Sequence, residues 1–133
     1  MTGLHFFVDR SLGRRQVPDL LRADGWDLAT LAEHYGIPAD EDVTDVEWLR
    51  LAGQHAWPVL MKDERIRYRS AERAALLEHG VRAFCLTSGN LTGREMAELF
   101  IGHRSAIWDQ AAGAGAALFA VSRTALRQVD LND

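Results

Sequence analysis

Several residue types are scarce in this chain, and each scarcity closes off a class of protein. The one cysteine, Cys85, lies in the apolar run Val81-Arg82-Ala83-Phe84-Cys85-Leu86. Neither a disulfide framework nor a cysteine-based zinc site can be built from it, and it reads as a buried structural thiol. No apolar stretch approaches the length that spans a bilayer, and Met1-Thr2-Gly3-Leu4-His5 lacks the basic-then-apolar order of a signal peptide. A soluble, cytoplasmic protein is expected. Basic excess is missing too: the net charge is -4, which excludes coating nucleic acid through overall positive charge and makes any such contact local. Lys62 is the single lysine against fourteen arginines, a bias that a GC-rich coding sequence produces as readily as a need for guanidinium chemistry. His5, His34, His55, His79 and His103 have no spacing that suits a metal cage. Gly113-Ala114-Gly115 lacks the third glycine of a dinucleotide fingerprint and precedes an apolar run that reads as a strand.

What remains is ample for one domain spanning residues 1–133, with its last few residues expected to be flexible. Of the 133 residues, 47% are apolar, enough for a core without staples. The charges segregate. Arg10, Arg14 and Arg15 lie close together without an acid, and Asp40, Glu41, Asp42, Asp45 and Glu47 lie close together without a base. From Lys62 to Arg73 the balance turns positive again.

Leu4 to Val8 reads as a strand buried on both faces, stopping at Asp9. Val17, Leu20 and Leu21 recur at helical spacing, with Pro18 in the first turn and Asp24-Gly25 as the stop. Trp26 to Leu31 reads as a second strand and Glu33 to Thr44 as a loop. Thr44 or Asp45 caps a helix with Val46, Leu49 and Gly53 inward and Trp48 and Leu51 flanking; it ends before Trp57-Pro58. A third strand covers Trp57 to Met61. Ser70 then caps a helix with Ala71, Ala74 and Leu77 on the buried face, and Val81 to Leu86 forms a fourth strand. Thr92 starts one long helix running through Met96, Leu99, Phe100, His103 and Ile107 to near Gly113. Ala114 to Val121 forms a fifth strand; Ser122 to Val129 is left unassigned.

Short strands alternating with helix-sized segments indicate an α/β fold with a mainly parallel sheet. Right-handed crossovers place the carboxyl ends of the strands on one edge, where ligands bind. Asp9 and Asp63 each follow a strand directly and so meet at that edge. Ionised carboxylates clustered there repel one another unless a cation or a shared proton intervenes. Mg²⁺ suits such a place, since it takes oxygen ligands and is commonly held by one or two carboxylates plus substrate phosphate. Asp45, at a helix start after the second strand, joins them, with Asp42 and Glu47 as competitors. Three acids round a hard cation orient a water for in-line attack on a phosphodiester. Arg10 and Lys62 adjoin the proposed ligands and suit backbone phosphates. An Asp after a strand is commonly a mere cap or turn residue; two at one edge with an acidic third are more specific.

At these residues the chain resembles the PIN-like domains related to VapC toxins, in particular the small actinobacterial type that opens with an F-x-D-R-x-L-G segment, here Phe7-Val8-Asp9-Arg10-Ser11-Leu12-Gly13. The likeness continues through Asp45-Val46-Glu47-Trp48-Leu49, Val59-Leu60-Met61-Lys62-Asp63 with Arg65, Ala71-Glu72-Arg73-Ala74, and Phe84 to Leu99. It implies a three-layer domain with a five-stranded sheet ordered 3-2-1-4-5, a metal-dependent endoribonuclease using Mg²⁺ or Mn²⁺, and single-stranded or structured RNA as substrate. It further implies the toxin of a type II toxin–antitoxin pair, blocked by a small DNA-binding antitoxin, and leaves room for a homodimer. The three acids of the family fall on Asp9, Asp45 and Asp63, with Arg10, Arg14, Lys62, Arg65 and Arg69 as candidate RNA contacts. Where many relatives carry a fourth acid after the fourth strand, this chain has Thr87-Ser88-Gly89-Asn90; Asn90 can orient water but brings no charge.

Two other readings compete. A receiver-like phosphoacceptor domain would use Asp9, Asp63 and Thr87, but its mechanism needs a lysine near the fifth strand. A catalytically silent PIN-fold interaction module would keep the core and lose the metal.

Overall fold

The structure is a computed structural model that describes residues 4–131. Its elements alternate as the apolar runs dictate: β1 (Phe6–Val8), α1 (Gln16–Ala23), β2 (Leu28–Thr30), α2 (Leu31–Tyr35), α3 (Asp45–His55), β3 (Val59–Lys62), α4 (Ser70–His79), β4 (Arg82–Leu86), α5 (Gly93–Gly102), α6 (Arg104–Ala111), β5 (Ala117–Val121) and β6 (Leu126–Val129). Side chains on a strand alternate between its two faces. Phe6, Val8, Leu60, Phe84, Leu86 and Phe119 therefore pack against α1, α5 and α6. Phe7, Val59, Met61, Ala83, Cys85 and Leu118 pack against α3 and α4 on the other side. The result is three layers round a sheet whose strands carry apolar residues on both faces. Cys85 is fully buried, and burial pushes its thiol up to about 12; it is a packing residue.

The sheet has six strands, ordered β2-β1-β3-β4-β5-β6, so the expected five strands in the order 3-2-1-4-5 are corrected. β1 occupies the inner place because Phe6, Phe7 and Val8 are all buried and can be flanked on both sides. It pairs in parallel with β2 through Phe6↔Leu28 and with β3 through Phe7↔Val59. β2 has three residues, and its last, Thr30, already caps α2 in a reciprocal box with Glu33, which suits a short edge strand. The unassigned tail forms β6, antiparallel to β5 across a tight turn in which the Ser122 N–H donates to the Ala125 carbonyl. The flexibility expected of the last few residues falls on Asn132 and Asp133, outside the described residues.

Other expectations are revised locally. The Glu33 to Thr44 loop holds α2 and a 3-10 turn at Ala39–Asp42. Asp40 is buried there and is gripped by both the Nε and a terminal nitrogen of Arg14. The long helix after Thr92 is two helices, broken at His103, whose Nε2 meets the Ser122 carbonyl at 2.7 Å. In α3, Trp48 is buried and Val46 is 48% exposed. In α4, Ala71, Ala74 and Leu77 face solvent, while Ala75 and Leu76 are buried. The helix is thus rotated from its expected setting, and Glu72 and His79 lie on the inward side.

The steps β3 to β4 and β4 to β5 run the same way across the sheet, yet α4 lies on one face and α5 and α6 on the other. These two crossovers have opposite hands, a departure from the uniform right-handedness expected. The packing explains it: α3 and α4 already cover the Phe7 face, whereas the eight residues of α1 alone would leave Leu60, Phe84 and Phe119 bare.

Parallel α3 and α4 are locked together near their C-terminal ends. A Cβ at Gly53 would stand 2.3 Å from the His79 carbonyl oxygen, so only glycine lets the two backbones meet. In an exposed helix, alanine would gain about 1 kcal/mol over glycine. Here the obstacle is backbone, and the overlap outweighs that gain. Gly53→Ala is expected to destabilise the protein by about 1–3 kcal/mol, read as a lower midpoint in urea denaturation.

Candidate functional site

In the order β2-β1-β3 the chain leaves β1 on one side and, after β2, returns to its other side. The crevice beyond the carboxyl ends of β1 and β3 is therefore the topological switch point of the sheet, the place where such folds bind ligands. Asp9 follows β1 and Asp63 follows β3. A cavity of about 450 Å³ opens there, with Asp9, Asp45, Asp63, Glu64 and Glu72 in its wall together with Arg10, Ser11, Lys62 and Arg69.

Each acid is fixed differently. Asp9 is 6% exposed. Its Oδ2 accepts from the Ser11 hydroxyl at 2.6 Å and the Ser11 N–H at 3.2 Å, capping a 3-10 turn at Arg10–Leu12. The same hydroxyl accepts from the Lys62 N–H at 3.0 Å, tying the end of β1 to the end of β3. The other oxygen, Oδ1, is buried with no hydrogen-bond partner. Asp45 begins α3, behind the Thr44–Glu47 capping box, and its Oδ1 accepts from the Trp48 indole N–H at 3.0 Å. Asp63 takes the Arg65 N–H on Oδ1 at 2.8 Å and the Arg69 guanidinium on Oδ2. Among the described residues no three His, Cys, Asp or Glu side chains converge as a closed metal cage. The internal commitments of Asp45 and Asp63 are consistent with that.

The electrostatics carry the mark of crowding. Burial raises the Asp9 carboxyl above its usual range; the Ser11 hydrogen bonds oppose this, and the charge of Asp45 adds to it. Burial also raises Glu72, with Asp45 and Asp63 pushing further up and Arg69 pulling down.

Among the residues singled out from the sequence, Asp9, Asp45, Asp63, Arg10, Lys62 and Arg69 come together round this cavity, while Asp42, Glu47, Asn90, Arg14 and Arg65 do not line it. Glu47 is held in its capping box. Asn90 sits in a turn at positive φ. The Arg14 guanidinium is closed on Asp40. Arg10 lines the wall, yet its guanidinium donates to the carbonyls of Glu41 and Val43, bracing the loop that delivers Asp45. Ser11, Glu64 and Glu72 were missed. Ser11 gave no signal beyond its position in the first segment. Glu72 was hidden by the wrong helix face, although Glu72, Ala75, Leu76 and His79 keep the 3,4,7 spacing of a single side.

A family profile described as "PIN like domain" matches residues 4–88, a span that holds β1 to β4 and every acid of the cavity. The chain belongs to the PIN-like domain family. This PIN-like domain is also similar to a protein of Mycobacterium tuberculosis named "Putative ribonuclease VapC45", with 39% identity over 103 residues, 77% of this chain and 75% of that protein. No solved structure matches it. The receiver-like reading falls with the family assignment, and Thr87 does not line the cavity. No described helix is long and apolar enough to cross a membrane.

The raised Asp9 group fixes a stability prediction. The native state keeps that proton to higher pH than the unfolded chain, so stability falls as pH rises from the ordinary carboxylate range through the folded value, and stays lower above it. Metal-free Asp9→Asn is therefore expected to be more stable than wild type at neutral pH, by about 1–3 kcal/mol for relief of an unsatisfied buried group. The advantage should vanish in acid, where Asp9 is protonated. Thermal melts in EDTA across pH check both halves.

Proposed function

We propose that this PIN-like domain is a metal-dependent endoribonuclease acting as the toxin of a type II toxin–antitoxin pair. The observation that carries the catalytic part is the buried, unpartnered Oδ1 of Asp9, a residue that lines one cavity together with Asp45 and Asp63. The donor set fits Mg²⁺ or Mn²⁺: hard carboxylate oxygens, several in number, one without any other partner. Asp9, Asp45 and Asp63 would hold the ion. When bound, it supplies electrophilic stabilisation of the charge that builds on a phosphate undergoing displacement by water.

The chain's own residues do the rest. Ser11 keeps Asp9 pointed inward and fixes the β3 end beside it. Arg10 holds the loop before α3 in place. Lys62, in the cavity wall, meets the phosphate backbone as a point charge. Arg69 spends its charge on Asp63 and would turn to a substrate phosphate once Asp63 is otherwise engaged. Burial of Asp9 strengthens the field at its carboxylate. With a net charge of -4, the RNA contact is confined to this rim. A small DNA-binding antitoxin covering the crevice is the partner such a toxin requires; the name of the mycobacterial relative supports that reading.

Purified protein is expected to cleave RNA with Mg²⁺ or Mn²⁺ and not in EDTA. Asp9→Asn and Asp63→Asn should each lower the rate by roughly 100-fold or more, the scale of losing a stabiliser of developing charge. Cleavage that persists in EDTA would end the mechanism, and a wild type that binds no Mn²⁺ and cuts no RNA would favour the silent interaction module. Arg69→Gln should tighten Mn²⁺ binding by up to about fivefold, as expected from freeing a half-exposed pair worth about 1 kcal/mol, and should weaken RNA binding. Calorimetry and filter binding read the two effects separately.

A further inference from the structure

α3 and α4 run parallel, pinned where Gly53 meets the His79 carbonyl. From that pin, eight residues back along α3 is Asp45, and seven back along α4 is Glu72. With the same rise per residue in both helices, the two carboxylates stand at nearly the same height, each in the first turn of its helix and each in the wall of the cavity that Asp9 and Asp63 enter from the sheet. The two helices thus supply one side of the crevice and the two strands the other. The second observation is the orphaned Oδ1 of Asp9, a buried oxygen on a side chain that lines the same cavity. Five acids line this cavity, Asp9, Asp45, Asp63, Glu64 and Glu72, against Arg10, Lys62 and Arg69; Arg69 is already paired to Asp63 and Arg10 donates to the loop carbonyls, so negative charge is in excess.

We propose that Glu72 is a fourth carboxylate ligand of this site, closing the divalent cation from the α4 side and taking the part that Thr87-Ser88-Gly89-Asn90 cannot play. This rests on the metal-dependent reading above and extends it to a residue of a different element. Having one more carbon than Asp, the Glu72 side chain has the reach to serve from a helix set back from the strand ends.

The test is titration of the full chain with MnCl₂ by calorimetry, without RNA. Wild type is expected to bind, and Glu72→Gln to bind roughly tenfold or more weakly, with unchanged circular dichroism. Glu78→Gln, the same change on the exposed far end of α4, should bind as wild type. Should Glu72→Gln fail to fold, Glu72→Asp decides, because it keeps the charge and withdraws the oxygens: weakened binding supports ligation, wild-type affinity overturns it. Wild-type affinity in Glu72→Gln, with Asp9→Asn defective, would overturn the role of Glu72 and leave the metal site standing. Loss of all Mn²⁺ binding by the wild type would overturn both.

Discussion

Carboxylates crowded into one crevice repel one another, and the whole arrangement follows from how that repulsion is contained. Burial and the charge of Asp45 both act against ionised Asp9, and the Ser11 hydroxyl and N–H, helped by the Arg10 backbone, answer on the opposite side. Asp63 is held by Arg69, and Asp45 by the Trp48 indole. The interior of this site is thus a balance of internal partners, each occupying a carboxylate oxygen. A protein selected for stability alone would have neutralised Asp9; keeping it costs folding free energy and retains a preorganised charge.

The scaffold delivers these groups by simple means. Two adjacent parallel strands hand over Asp9 and, two residues further along their shared register, Asp63; two parallel helices, kept in register by a glycine contact at their far ends, hand over Asp45 and Glu72. Small shifts anywhere in this frame would show at the rim, because the side chains there are short and their hydrogen bonds local. Arg14 and Arg10, which sequence position alone would send to a phosphate, act instead on the loop between α2 and α3. The basic flank therefore works partly as bracing.

The α/β class, most strand positions, the Thr44 and Thr92 caps and the meeting of Asp9 with Asp63 were legible because each rests on a local signal: an apolar run that stops at an acid, or a Thr followed three residues later by Glu. Strand order was not, since nothing in the residues of β2 states which neighbour it will take, and the order borrowed from the resemblance misplaced it. The face of α4 was misjudged because alanine is indifferent to burial; Ala71 and Ala74 fit a core as well as a surface, and the deciding evidence was the half-hidden Glu72, whose charge argued the other way. The break at His103 was invisible for a similar reason: the apolar period continues across it, and the contact that bends the chain, with Ser122, comes from far along the sequence.

β6 is small, yet it changes how the molecule meets its surroundings. β5 carries fully buried Leu118 and Val121, and its outer hydrogen-bonding groups are matched by an antiparallel ribbon whose Arg127 and Gln128 face solvent. The ribbon works as a selvedge: it ends the parallel weave in a polar hem, so that the edge most like the core is not offered to another chain as a template for strand addition. A shortened polypeptide lacking this hem would keep every acid of the crevice and lose its colloidal independence.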